Sequence, residues 1–128
     1  MKKIISSIGI TMSAMVLMAL ISPTNTYAQD PTEVDAKHYK VEFENDQVRV
    51  LRISYGPGEA SVMHEHPNAV AVFLSDAATE MNLPDESSVE DIRKFGEAVW
   101  TPSGKHLPKS KGDSPSELIL VELKTKSE

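Results

Sequence analysis

The chain has 128 residues, 13 Lys and Arg against 19 Asp and Glu, a formal net charge of −6, 40% hydrophobic residues and no cysteine. That length holds one small domain, and the lack of cysteine excludes disulfides, thiolate zinc sites, iron–sulfur clusters and a cysteine nucleophile. The acidic balance provides no basic footprint for phosphates, so no nucleic-acid partner is expected.

The first element is a targeting segment. Met1-Lys2-Lys3 gives a positive start, the eighteen residues from Ile4 to Ile21 carry no charge, and Thr26 and Ala28 stand at −3 and −1 of a cleavage after Ala28. This is the pattern of a cleavable signal peptide. Residues 1–28 are therefore expected to be removed, leaving a periplasmic or secreted protein with no membrane attachment. The competing reading is an uncleaved anchor, since eighteen uncharged residues just span a bilayer. The scarcity of strongly apolar residues and the cleavage site favour the signal. Losing Lys2 and Lys3 takes the net charge from −6 to −8. The remaining domain must close its core by packing alone.

Residues 29–38 are polar and are read as a flexible leader. Tyr39 to Phe43 alternates apolar and charged residues, and Val48 to Ser54 is rich in β-branched residues, with Asn45-Asp46 between them. These predict a hairpin. Tyr55-Gly56-Pro57-Gly58 is the strongest turn signal, and a strand-like approach, Ser61 to Met63, follows. The uncharged run Ala69 to Leu74 predicts a strand buried on both faces. Thr79 to Leu83 predicts a strand ending at Pro84-Asp85, the acidic stretch Asp85 to Asp91 reads as a solvated loop, and a helix is open around Val89 to Phe95. Glu97 to Thr101 and Glu117 to Leu123 are further strands, separated by turn clusters at Pro102-Ser103-Gly104 and Ser110 to Ser116. Short strands with Gly/Pro turns and no convincing long helix predict an all-β barrel or jelly roll.

Four histidines carry the chemistry: His38, His64, His66 and His106. In an extended strand the two imidazoles of His64-Glu65-His66 share one face while Glu65 points away. Both can then meet one metal ion, and neutral imidazole suits Fe, Ni, Cu and Zn. Further ligands must come from another strand, and His106 is the natural third.

The surrounding spacing is more specific than H-x-H alone. Gly58 is followed after five residues by His64-x-His66-Pro67, and then by the run Val70 to Leu74. Later comes Gly96-x5-Pro102-x-Gly104-x-His106. The pattern resembles the two motifs of the cupin superfamily, G-x5-H-x-H-x3/4-E-x6-G and G-x5-P-x-G-x2-H-x3-N. The resemblance covers Tyr39 to Lys124. It implies a cupin-type antiparallel jelly-roll β-barrel over residues 39–124, with a metal or small-ligand site in its mouth. The departures are informative. Val70 or Ala71 stands where the motif has its glutamate, Ala77 or Ala78 where it has its last glycine, and Ser110 where it has asparagine. Lys105 alone separates Gly104 from His106, where the motif has two residues. The implied metal site therefore has three histidines and no acidic ligand.

Other residues are read as structural. His38 matches neither motif and is taken as a surface or packing histidine, Trp100 as core, and Lys105, Lys109 and Lys111 as a solvated turn. Arg49 and Arg52 lie on opposite faces of one strand, so at most one points inward. Nothing in the spacing selects a fourth ligand from Glu65, Glu80, Glu97 or another acid.

The expected function is that of an exported cupin binding one divalent transition metal (Fe, Mn, Ni, Zn or Cu) through His64, His66 and His106. Its expected chemistry is that of a dioxygenase or isomerase acting on a small oxygenated molecule, with the metal as Lewis acid and no general base assigned. The alternative is a non-enzymatic cupin that binds or senses a small ligand with a structural metal or none. The resemblance also implies a homodimer, for which an apolar edge at Leu118 to Leu123 is the expected interface.

Overall fold

The computed structural model describes residues 29–125; the signal peptide expected at 1–28 lies outside the described residues. Two antiparallel sheets face each other. One contains β1 (Tyr39–Glu44), β2 (Val48–Tyr55), β9 (Ser116–Leu123), β4 (Ala69–Phe73) and β7 (Ala98–Thr101), in that spatial order. The other contains β3 (His64–His66), β8 (Gly104–Ser110), β5 (Ala77–Asn82) and β6 (Ser88–Arg93). A one-turn helix, α1 (Pro31–Val34), precedes them.

Period-2 alternation decides which residues enter the core. From the larger sheet, Leu51, Ile53 and Tyr55 of β2, Ala69, Ala71 and Phe73 of β4, and Leu120 of β9 are buried. The alternation also divides the two arginines of β2. Arg49 shares the parity of Leu51 and Ile53, while Arg52 lies on the outer face and pairs with Glu42 and Glu117. Two of the core residues that line the space between the sheets, Ala71 and Ala77, are small. The sheets therefore enclose a cavity of about 470 Å³.

Several expectations are corrected. Ala69 to Phe73 is not covered equally on both faces, because only Ala69, Ala71 and Phe73 are fully buried and Val70 and Val72 are half-buried. The helix open at 89–95 is strand β6, paired along its length with β5. Pairing across the sheet overrides a local pattern that is ambiguous in isolation. The same strand takes in the end of the expected acidic loop, where Asp91 pairs with Arg93 at 2.5 Å. Lys105 and Lys109 lie in strand β8, not in a turn. Trp100 is 56% exposed at the cavity rim, on the edge strand β7, instead of in the core. Leu118 to Leu123 is no edge: β9 is bonded to β2 on one side and β4 on the other, so its backbone is already paired.

The segment 29–38, expected to be a flexible leader, is packed against the barrel. Asp30 caps α1 by accepting from the Thr32 N–H at 2.9 Å, and Pro31 at its first position is fully buried. Proline suits that position, where its missing N–H costs nothing. His38 is buried, stacked on Tyr55 with ring centroids 4.4 Å apart. Its Nδ1 lies 2.7 Å from Asp35 and its Nε2 3.0 Å from Glu59.

Two outcomes are expected. Leu51→Ala should lower the unfolding free energy by about 2–5 kcal/mol in urea titrations, the cost of a core cavity. Glu59 accepts from Lys37 at 2.6 Å, from the Gly56 N–H and from His38, which hold its carboxyl at about 2 against an ordinary 4.5. A depressed carboxyl contributes stability above its unfolded value and loses it as pH falls through the folded one. The stability difference between wild type and Glu59→Gln should thus shrink as pH falls from 4.5 towards 2; thermal melts across that range measure it.

Candidate metal centre

β3 and β8 bring the predicted residues together. Their antiparallel register sets His64 opposite His106 and His66 opposite Gly104. The single residue between Gly104 and His106 therefore still delivers the imidazole. Gly58 and Gly96, which begin the two motifs, have φ of 72° and 84°. Such left-handed backbone suits glycine, and it turns the chain into the segments that carry the histidines. One ligand nitrogen from each of His64, His66 and His106 lies within 4.8 Å of the others. Among the described residues this is the group of histidines and acids so arranged. His64 and His66 are 1% and 2% exposed, and His66 and His106 face the cavity.

The protons on these rings can be assigned from their partners. His64 Nδ1 lies 2.7 Å from the Val62 carbonyl oxygen, which can only accept, so Nδ1 carries the hydrogen. His66 Nδ1 lies 2.6 Å from Glu122 Oε1. Burial alone would raise the Glu122 carboxyl, but hydrogen bonds from His66 and from Arg49 outweigh it and hold it below the ordinary value. The carboxylate is thus an acceptor, and His66 also donates from Nδ1. In the neutral form of both rings, the form that ligates metals, each Nε2 keeps a lone pair, and the two Nε2 atoms face each other at 3.1 Å. Two lone pairs at that distance repel unless a proton or a metal ion lies between them. Nitrogens bound to one ion at about 2.0–2.1 Å stand about 2.8–3.4 Å apart for bond angles of 90° to 110°. The spacing fits. Burial pushes His64 down to about 4, and burial together with the His66 and His64 rings pushes His106 down to about 3. Neutral imidazole is the form that ligates metals.

The missing motif glutamate leaves open space. Val70 points out of the barrel, and Ala71 points into it, lining the cavity with a methyl group. Glu122, which sequence reasoning did not single out, acts behind His66 and not beside the ligand nitrogens. Its signal was available: it continues the inward parity of Leu118 and Leu120, so it is a carboxylate on the buried face of a strand. Arg49 Nε donates to Glu122 Oε2 at 2.6 Å, and Arg49 Nη1 donates to Asp30 at 2.6 Å. Tyr39 packs edge-on against His64 at 4.7 Å and shares a 2.6 Å hydrogen bond with Tyr55. Across the cavity, Asp91 and Arg93 of β6 line the wall as an ion pair.

No protein-family model matches the sequence, and no curated protein matches it. Solved structures do. The chain is similar to a cupin domain from Bordetella pertussis at 22% identity and a TM-score of 0.63, over 68% of this chain and 92% of that one. It is also similar to an RmlC-like cupin from Methanocaldococcus jannaschii with a double-stranded β-helix fold, at 20% identity and a TM-score of 0.51 over 70% and 83% of the two chains. A polyketide cyclase from Streptomyces resistomycificus aligns at 16% identity and a TM-score of 0.51, over 66% of this chain and 63% of that one. The described residues therefore have the cupin fold. Within that fold they carry a three-histidine group that could hold a metal.

Imidazole 15N NMR at pH 6 should find His64 and His106 neutral, with the hydrogen of His64 and of His66 on Nδ1. A hydrogen on Nε2 of either His64 or His66 would remove the facing lone pairs from the site.

Proposed function

We propose that this protein binds one divalent transition metal through His64, His66 and His106 and presents it to a small oxygenated molecule in the barrel cavity. The observation that supports this reading above others is the convergence of His64, His66 and His106, with the Nε2 atoms of His64 and His66 3.1 Å apart and their Nδ1 atoms held by Val62 and Glu122. Fe, Mn, Ni, Zn and Cu all accept neutral imidazole, and selection among them rests on geometry and supply. When bound, such an ion supplies Lewis acidity and open positions for water, oxygen or a chelating substrate.

The chain's own residues do the remaining work. His64 and His66 are fixed from behind by Val62 and Glu122, so their ligand nitrogens are preorganised. Phe73, Val99 and Leu118 give the cavity an apolar wall, which excludes water and favours a partly apolar guest. Thr79, Arg93 and Lys105 add polar groups that can orient an oxygenated one. Dioxygenase or isomerase chemistry is the reaction class proposed for such a guest. A second reading, a cupin that binds or senses a ligand without turnover, draws on Asp91. It is the carboxylate facing the cavity, and its ion pair with Arg93 makes it a poor general base. Export to the periplasm or beyond, through cleavage after Ala28, is part of the proposal and rests on the sequence of residues 1–28. A homodimer is likewise proposed; with β9 internal, its edges would be those of other strands.

Elemental analysis of untagged protein offered Fe, Mn, Ni, Zn or Cu should find one ion per chain. His64→Ala and His106→Ala should each abolish uptake while leaving the β-sheet circular dichroism unchanged. Wild-type protein that takes up no stoichiometric metal would refute the reading. Stoichiometric metal with ligand binding but no turnover across a substrate screen would favour the second.

A further inference from the structure

The N-terminal segment 29–38 lies along the outer edge of the strand that carries two of the histidines. β3 is the edge strand of its sheet, and its outward Glu65 N–H donates to the Gln29 carbonyl at 3.3 Å. From this anchor the segment reaches the two β3 histidines from opposite ends. At one end Asp30 accepts from Arg49 Nη1, Arg49 Nε donates to Glu122, and Glu122 accepts from His66 Nδ1, each bond at 2.6 Å. At the other end Asp35 accepts from Ser61 Oγ at 2.5 Å, and that Oγ lies 3.3 Å from His64 Nδ1.

Charge gives this arrangement a consequence. Glu122 and Arg49 alone are a neutral pair, and a carboxylate saturated by a guanidinium is a weaker acceptor for His66. Asp30 shares the guanidinium and makes the chain Glu122–Arg49–Asp30 net negative. A metal-bound imidazole becomes a better donor when its other N–H meets negative charge. The barrel interior offers no acidic ligand at Val70 or Ala71 to balance a divalent ion.

We infer that residues 29–38 form a strap belonging to the metal centre, in which Asp30 and Asp35 are positioning residues. The anionic charge missing from the inside of the barrel is supplied through Asp30 from behind His66. The inference rests on the proposed metal binding at the three histidines.

The test is cobalt(II) binding to the purified protein. Asp30→Asn is the decisive variant: asparagine keeps the helix cap through its oxygen and removes the charge together with Oδ2, the acceptor of the Arg49 Nη1 hydrogen bond. Its Co2+ affinity should fall about 10-fold or more, its visible d–d bands should shift, and the Tm of the metal-free protein should change little. Asp30→Glu should restore affinity and spectrum. Glu33→Gln, which removes the same charge from the same segment without touching Arg49, should bind as wild type does. Asp35→Asn should also weaken binding, through His64. Unchanged affinity in Asp30→Asn, or an equal loss in Glu33→Gln, would overturn the strap. Wild type that binds no Co2+ would overturn the metal reading instead, and the His66 15N shifts of the metal-free protein would then decide the strap. Displacement of those shifts by Asp30→Asn supports polarisation of His66 by Asp30; identical shifts exclude it.

Discussion

A carboxylate buried to 2% exposure on the central strand of a sheet is the constraint around which this structure is arranged. Glu122 sits on β9 between Arg49 of β2 and Ala69 of β4. A charge removed from water this far is tolerated only when it is paired and its lone pairs are satisfied. Arg49 takes one oxygen and His66 the other. Arg49 in turn draws Asp30, and with it the N-terminal segment, onto the barrel. One buried charge thus ties together the two sheets, the strap and the histidine group.

The same interaction sets the chemistry of the site. Glu122 holds a hydrogen on His66 Nδ1 and Val62 holds one on His64 Nδ1, so in the neutral, ligating form both remaining nitrogens turn their lone pairs inward. An arrangement that is repulsive without a cation becomes a preformed ligand set with one. The cavity beside it exists because small residues, Ala71 and Ala77, line it where larger ones would fill the space between the sheets. Site and cavity are both products of what the inward positions of a few strands carry.

Much of this was legible from local pattern. The β1–β2 hairpin, the glycine turns and the strands at β4, β5, β7 and β9 follow from alternation and turn residues, which act over a few neighbours. The His64-x-His66 pair and the spacing to His106 led to three side chains that the structure brings together. Strand β6 was not legible, because Ser88 to Arg93 is polar and its strand character comes from pairing with β5. Trp100 misled because hydrophobicity carries no information about which strand ends a sheet. The leader misled because its polar residues were read as solvated, when Asp30 and Asp35 are bonded to Arg49 and Ser61 far along the chain.

The sequence by itself determined the all-β class, the inward face of most strands and the identity of the three histidines. These depend on local stereochemistry and on the spacing of a motif. Only the tertiary structure decided that Glu122 meets His66 and Arg49, that β9 is internal, that Ala71 leaves a void where an acid would stand, and that residues 29–38 brace the site. Each of those depends on strand order and cross-sheet register, which bring together groups as distant as Asp30, Arg49 and Glu122. No local signal encodes that proximity, since it arises only when the sheets close and buried charges must find partners.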